Sequence, residues 1–323
     1  MPLFIELTPA QTRQYIDAEA TLRALRESEK AALEVRGSMF WRDMGAQRYL
    51  IRVASRGSQT SLGPHSAELE AVYTRFMARK TSVEQRLTSL KAALAQHQRN
   101  NRALRIGRAP RLLIDTLNRL EQAGLAAHFV VVGPHALYAY ESACGVRVQD
   151  DAKSDATATQ DIDRLPDTRK YLSFVTTMDR LDTSLLSVFQ KVDKTFQLRS
   201  NQLYTAVNAD GFEIDVVRRT AKDGDLHPLR VSRHDEDFWA VQISTDSTLL
   251  DGGHFQQAVV ATSGHMAVMR VPTPASFIRV KEKLAATRTR DPLKARKDAL
   301  QAQIVSQLVG DYALGELDEG GAL

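Results

Sequence analysis

Two aspartates one residue apart, Asp161 and Asp163, stand in the chemically most informative stretch of the chain, Thr157-Ala158-Thr159-Gln160-Asp161-Ile162-Asp163. In a strand they project from the same face, about 7 Å apart along it, with Ile162 turned to the core. Two carboxylates at a strand end can hold a divalent cation between them. Magnesium takes a few carboxylates and completes its shell with water and substrate phosphates. A third acid, Asp215, interrupts the otherwise apolar run Phe212-Glu213-Ile214-Asp215-Val216-Val217, where an unpaired charge is costly. Three acids meeting at one spot repel each other unless a cation joins them. Asp-x-Asp by itself also marks solvated strand ends and turns, and Arg218 or Arg219 could pair with Asp215.

These acids need elements to position them. Phe129-Val130-Val131-Val132 is a continuous apolar run of the kind found in a strand buried on both faces. It ends at Gly133, and the pattern predicts a short helix from His135 to about Ala143. Residues 160–165 are strand-like and 181–192 helical. Residues 204–207 and 212–217 read as a hairpin around Asn208-Ala209-Asp210-Gly211. Residues 220–237 read as loop and 238–271 as several strand-like pieces. A final helical pair follows Pro272-Thr273-Pro274, over 275–289 and 292–310.

Ahead of this block, Thr8-Pro9 opens a helix that runs to Glu34 and stops at Gly37. A hairpin over 39–53 turns at Asp43-Met44-Gly45, and Ser61-Leu62-Gly63-Pro64 breaks the chain. A long helix is expected from Ser66 to Arg99, then a basic bridge over 100–110, then a helix from Arg111 to Ala123 closed by Gly124. The expected fold class is α+β, a mixed sheet flanked by helices. Its parts are a basic helical and hairpin region over 1–108, a sheet domain over 109–272 and a C-terminal helical segment over 273–323. No internal repeat and no coiled-coil array is legible.

A length of 323 residues suits two domains at roughly 100–200 residues each. With 43% hydrophobic and 25% charged residues the chain can build a sizeable core, which excludes a disordered or collagen-like protein. No window approaches about eighteen consecutive apolar residues, so no membrane partner is expected. Met1-Pro2-Leu3-Phe4-Ile5-Glu6 has no basic segment leading into an apolar run, and Cys144 is the single cysteine. Both features fit a reducing, cytoplasmic location. The net charge of +4 hides an asymmetry: residues 1–127 carry 20 Lys and Arg against 12 Asp and Glu, the remainder 23 against 27. A basic front suits a polyanionic partner, or arginine-rich helices facing solvent. Arg42, Arg48 and Arg52, interleaved with Trp41 and Tyr49, could meet nucleic-acid phosphates and bases. The same aromatics could instead form a small core under two helices.

The order of the features is more specific than any one of them: an apolar strand ending in Gly, a short helix, Asp-x-Asp, then a lone Asp in a later strand. In this order the chain resembles the DNA polymerase-beta-like nucleotidyltransferase superfamily. The matching segments are Val131-Val132-Gly133-Pro134-His135-Ala136-Leu137-Tyr138-Ala139-Tyr140, Thr159-Gln160-Asp161-Ile162-Asp163 and Glu213-Ile214-Asp215. Within it the chain looks most like stand-alone bacterial nucleotidyltransferase-like proteins, which carry Gly-x-x-Ala-x-x-x-Tyr-Glu after the first strand and a Thr-x-Asp-Ile-Asp strand. Their late Pro-x-x-Phe block is matched by Pro274, Phe277, Lys283-Leu284, Arg288, Lys297-Asp298 and Gln301-Ala302. Trp41, Gly45, Tyr49-Leu50, Ser61-Leu62-Gly63, Glu68 and Glu70 are similar to the helix–hairpin–helix start of that group.

The resemblance implies transfer of an NMP from an NTP to an acceptor hydroxyl on RNA, tRNA foremost, or on protein. Two Mg2+ ions, with Mn2+ as a substitute, would do this with Asp161 and Asp163 bridging them. Asp215 would be a ligand and the general base on the acceptor side, and Gly133 would let backbone approach the phosphates. Lys283 follows from the late block as a contact to the triphosphate. Because relatives include toxins, an antitoxin-type protein partner is a further expectation.

One departure stands out. Pro134 occupies the position where the superfamily has Ser, Thr or Gly, and proline offers a phosphate neither a hydroxyl nor an N–H. His135 is either a substitute donor to the nucleotide or an ordinary residue of the helix start. Loss of that donor makes an inactive nucleic-acid-binding or regulatory module the alternative function, and a metal-dependent phosphoesterase uses the same acids. Asp298 is expected to pair with a neighbouring base, Cys144 to be a buried small residue, and His254 and His265 to be structural strand residues.

Overall fold

Proline at a first helical turn, where its missing N–H leaves no bond unmade, opens α1 (Pro9–Glu34). Gly37, at φ +86°, turns the chain into the strands that follow. The computed structural model describes residues 4–55, 57–149, 171–176, 183–218, 228–242 and 253–314. The chain is α+β. It divides into two compact units, Arg13–Asn100 and Met1–Thr12 with Asn101–Leu323.

In the Arg13–Asn100 unit an antiparallel sheet joins β2 (Ser38–Met44), β3 (Gln47–Val53) and β4 (Gln59–Pro64), in that order, after β1 (Phe4–Glu6) and α1. Ser61-Leu62-Gly63-Pro64, expected as a break, is therefore strand. Tyr49 pairs Pro64 and Leu50 pairs Gly63, and a bulge between Leu50 and Ile51 absorbs the irregularity. An edge position tolerates the proline because no ladder bond is lost there.

α2 (Ala67–Ala103) runs four residues past the expected Arg99. It lies antiparallel to α1: Gln14 Nε2 meets His97 Nδ1 at 3.0 Å, while Arg79 pairs Glu34 at the other end. Tyr15, Ala18, Leu22 and Leu25 are buried on α1. Tyr73, Phe76, Lys80, Val83, Leu87, Leu90, Leu94 and His97 are half-buried on α2. Both sets recur at steps of three and four residues, the spacing of a single helix face. Lys80 and His97 take inward positions of α2, and these polar interruptions hid that face.

In the other unit α3 (Arg111–Gln122) turns Leu113, Ile114, Leu117 and Leu120 to the core. β5 (Phe129–Val132) leads through a 3₁₀ turn, Gly133–Ala136, into α4 (Leu137–Cys144), so the expected helix at His135 starts as 3₁₀. β6 (Val146–Val148) pairs β1. Then come β7 (Tyr171–Thr176), α5 (Leu185–Gln190), β8 (Gln197–Arg199), β9 (Gln202–Val207) and β10 (Glu213–Arg218). β11 (Leu229–Arg230) lies in the stretch expected as loop, and β12 (Trp239–Gln242) follows. The mixed sheet runs β11–β12–β10–β7–β5, with β9 on β10 and β8 on β9.

β13 (His254–Val260) and β14 (Met266–Pro272) form a hairpin whose turn holds His265, which is therefore not a strand residue. α6 (Pro274–Ala285), capped by Thr273, and α7 (Pro292–Tyr312), capped by Asp291, close the unit.

α5 starts at Leu185, not 181, and a residue far along the chain marks that start. Buried Asp237 accepts the N–H groups of Leu185 at 2.8 Å and Leu186 at 2.9 Å, as well as the Ser232 hydroxyl. The helix thus receives a second cap beside Ser184. The main apolar cluster takes Phe129 and Val131 from β5, Ala206 from β9, and Ile214 and Val216 from β10. Phe189 of α5 and Ile304, Val305 and Leu308 of α7 complete it.

Candidate active site

The hairpin β9–β10 sets Asp215. Its turn is held by Asn208, whose Oδ1 accepts the Phe212 N–H at 2.7 Å and whose Nδ2 donates to Asp193 Oδ2 at 2.8 Å. The Thr195 hydroxyl and N–H donate to Asp193 and hold its carboxyl below the usual range. The register that results pairs Asp215 directly with Thr205.

On its other edge β10 pairs β7 in parallel, Asp215 opposite Ser173, and β7 pairs β5 with Ser173 opposite Val132. Val132, Ser173, Asp215 and Thr205 therefore form one row across four strands. The row's outer strand ends at the glycine turn, two strand spacings or about 10 Å from Asp215. Alternation puts Asp215 and Thr205 on the face opposite Ile214, Val216 and Ala206, which fill the apolar cluster. Asp215 is 7% exposed and Thr205 1%, and the Thr205 hydroxyl donates to Asp215 Oδ1 at 2.6 Å. Thr205 was not legible as a site residue, since its role depends on strand register alone.

Gly133 turns the chain at φ +74°, a left-handed conformation that side chains disfavour. Pro134 sits in the first turn that follows, and His135 is 1% exposed with its ring 6.0 Å from that of Tyr138. The two residues that close the motif after the first strand anchor α4. Tyr140 Oη donates to the Pro272 carbonyl at 2.7 Å. Glu141, buried, takes Arg108 Nε and Nη2 at 2.8 and 2.5 Å and the Val148 N–H at 3.0 Å. The guanidinium of Arg108 also lies over Tyr138. An acid in an otherwise apolar helix is the signal that marks Glu141. Cys144 is half-buried against the core, less than expected, and burial, then the charge of Glu141, push its thiol up to about 12, which fits a packing residue and not a nucleophile.

Asp161 and Asp163 lie outside the described residues. Among the described residues no three His, Cys, Asp or Glu side chains come together to hold a metal ion, so a multi-carboxylate site must draw on residues beyond them. Asp215 suits such a site, being a hard oxygen donor already oriented by a hydroxyl.

Lys283 is exposed on α6. The buried cation of that helix is Lys281, paired with Asp298 as expected of that acid. Arg42, Arg48 and Arg52 do not share a face. Register sets Arg48 and Arg52 with Asp43, Trp41 and Met39, and Arg42 with Tyr49 on the other side. Arg42 bonds Gln59 at 2.7 Å and Arg48 faces Asp43 at 3.3 Å. Arg52 donates to the carbonyls of Arg36 and Ser38 and lies over Phe76. The Trp41 ring packs near His65 and Tyr73, as in a small aromatic core.

A sequence model of the nucleotidyltransferase family matches residues 111–320. The chain belongs to the nucleotidyltransferase family. No curated protein and no solved structure matches it. Family membership makes the chain a transferase of nucleotidyl groups, with a nucleoside triphosphate as donor. The matched span of this nucleotidyltransferase holds Gly133, His135, Asp161, Asp163, Asp215 and Lys283, and it leaves the Arg13–Asn100 unit outside. No described helix is long and apolar enough to cross a membrane.

Proposed function

We propose that this nucleotidyltransferase moves an NMP from an NTP to a hydroxyl on RNA, with Asp161, Asp163 and Asp215 as the oxygen ligands of two magnesium ions. The observation that carries the reading is the row Val132–Ser173–Asp215. It sets a buried carboxylate, on the sheet face away from the core, two strands from the glycine turn. Bound there, magnesium supplies neutralisation of the triphosphate charge and a lowered pKa for the acceptor hydroxyl.

The acceptor oxygen bonds to the α-phosphorus as the bond from that phosphorus to the α–β bridging oxygen breaks. Pyrophosphate leaves with the electron pair, and Asp215 takes the hydroxyl proton. Gly133 gives the phosphates a turn without a side chain, and Lys283, exposed on α6, meets the triphosphate. The burial of His135 favours packing over nucleotide contact. The basic Arg13–Asn100 unit contributes contacts to RNA phosphates from one face of its sheet, through Arg42 or through Arg48, while Arg52 braces the sheet.

Incubation with each labelled NTP, magnesium and total cell RNA or total protein tests this reading. Label is expected on RNA with the wild type and on nothing with Asp161→Ala or Asp215→Ala, each checked to be folded. Label on protein would change the acceptor class from RNA to protein. Free nucleotide products without attachment would indicate a phosphoesterase. Wild-type labelling by both variants would remove the mechanism. Calorimetry with magnesium and each NTP separates the alternative function. Absence of heat, together with salt-sensitive RNA binding, would make Pro134 the mark of an inactive binding module.

A further inference from the structure

We infer that Thr205 is a positioning residue for Asp215, its hydroxyl fixing the carboxylate in the orientation that a cation and an acceptor need; this rests on the metal-dependent reading above. The Thr205 hydroxyl donates to the Asp215 carboxyl at 2.6 Å, at the short end of O–H···O bonds. Both partners are buried, so water cannot readily stand in for either. The geometry is held from several sides. Thr205 and Asp215 are direct partners in an antiparallel ladder, flanked by the pairs Ala206–Ile214 and Val207–Glu213. The ladder is closed by the Asn208 turn, and β10 is paired on its far edge by β7. Threonine is also stiff at χ1, so its hydroxyl points one way at little entropic cost.

Packing alone does not call for this residue. Ala206 and Ile214, one step along, belong to the apolar cluster, and Thr205 and Asp215 stand on the opposite face of the sheet. A valine would fill the same volume. What valine lacks is the donor, and the group that receives the donor is the carboxylate. Carboxylates that bind metals are themselves hydrogen-bonded by a surrounding shell, and losing one such partner costs roughly 10–100-fold in metal affinity or activity.

The experiment uses the full chain with three substitutions, Thr205→Val, Thr205→Ser and Asp215→Ala. Two quantities are read: Mn2+ affinity by calorimetry without nucleotide, and label transfer resolved into kcat and the KM for NTP. Thr205→Val is expected to weaken Mn2+ binding by roughly 10–100-fold and to lower kcat over a similar range, with KM nearly unchanged. Thr205→Ser keeps the hydroxyl and is expected to stay close to wild type in both.

A folded Thr205→Val variant with wild-type Mn2+ affinity overturns the inference. So does a Thr205→Ser variant that loses as much as valine, because the methyl group would then be what matters. Should Thr205→Val fail to fold, the serine variant decides by itself: wild-type affinity supports the inference and lost affinity overturns it. Asp215→Ala separates the two levels. If it binds Mn2+ and transfers label like wild type, the metal reading itself fails. If it loses both while Thr205→Val does not, only the role of Thr205 falls.

Discussion

Lys281 Nζ on α6 lies 2.7 Å from Asp298 Oδ1 on α7, and Arg290 donates Nε and Nη2 to the other oxygen of the same carboxylate at 3.0 and 2.7 Å. One buried acid thus joins two helices and the segment between them. Burial draws the Lys281 ammonium below the usual lysine range, against the pull of Asp298. Two residues along, Lys283 stands exposed. Asp298→Ala leaves a buried ammonium without its anion, and unfolding in urea is expected to show a loss of about 3–5 kcal/mol. Lys283→Ala is expected to shift stability by no more than about 0.5 kcal/mol while raising the KM for NTP. A large stability loss in Lys283→Ala would show that the assignment of the two lysines is reversed.

Two glycines are required for different reasons, and melting curves should separate them. Gly133 has φ +74°, and a Cβ added there would meet no atom within 4 Å. Gly133→Ala should therefore cost only the backbone penalty, about 1–2 kcal/mol. Gly107 runs against the β13–β14 turn, where Ala109 bridges Ala261. A Cβ on Gly107 would overlap the carbonyl oxygens of Val260 and Ala261, which are rigid backbone. Gly107→Ala should lower the melting temperature further than Gly133→Ala, and the reverse order would contradict this account.

The two faces of the β2–β3–β4 sheet make a separate prediction about RNA. Arg42 and Arg48 lie on opposite faces, and a strand of RNA laid on one face neutralises its charge on that face only. In fluorescence anisotropy over a range of salt concentrations, one of Arg42→Ala and Arg48→Ala, not both, should reduce the salt slope by about 0.7–0.9. Arg52→Ala should act mainly on stability, by about 1 kcal/mol, through the lost bonds to the Arg36 and Ser38 carbonyls. Equal effects of Arg42→Ala and Arg48→Ala on the slope would mean that RNA wraps the sheet edge.

Much of the fold was legible because local chemistry writes it. The unbroken apolar run at 129–132, the Asn-Ala-Asp-Gly turn before β10, and Pro274 and Pro292 at the helix starts each act within a few residues. Part of the site was legible in the same way: an acid in the apolar strand 212–217 marks Asp215 whatever surrounds it. The burial of Lys281 is legible in the same way. That lysine follows Phe277 by four residues and Val280 by one, on the buried stripe of α6.

Other features depended on partners far away in the chain. The start of α5 is set by Asp237, some fifty residues on. The pairing of α1 with α2 was masked by Lys80 and His97 at inward positions, and the edge strand through Gly63 and Pro64 exists because β3 is there to receive it. The residue types and their order along the chain determined by themselves which elements form and which acids are candidates. Only the tertiary structure decided that Val132, Ser173, Asp215 and Thr205 share one row and that Arg42 is turned away from Arg48. The physical reason is that propensity, capping and periodicity act over one or two turns of chain. Strand register and burial are set by contacts between segments whose separation in sequence carries no local signal.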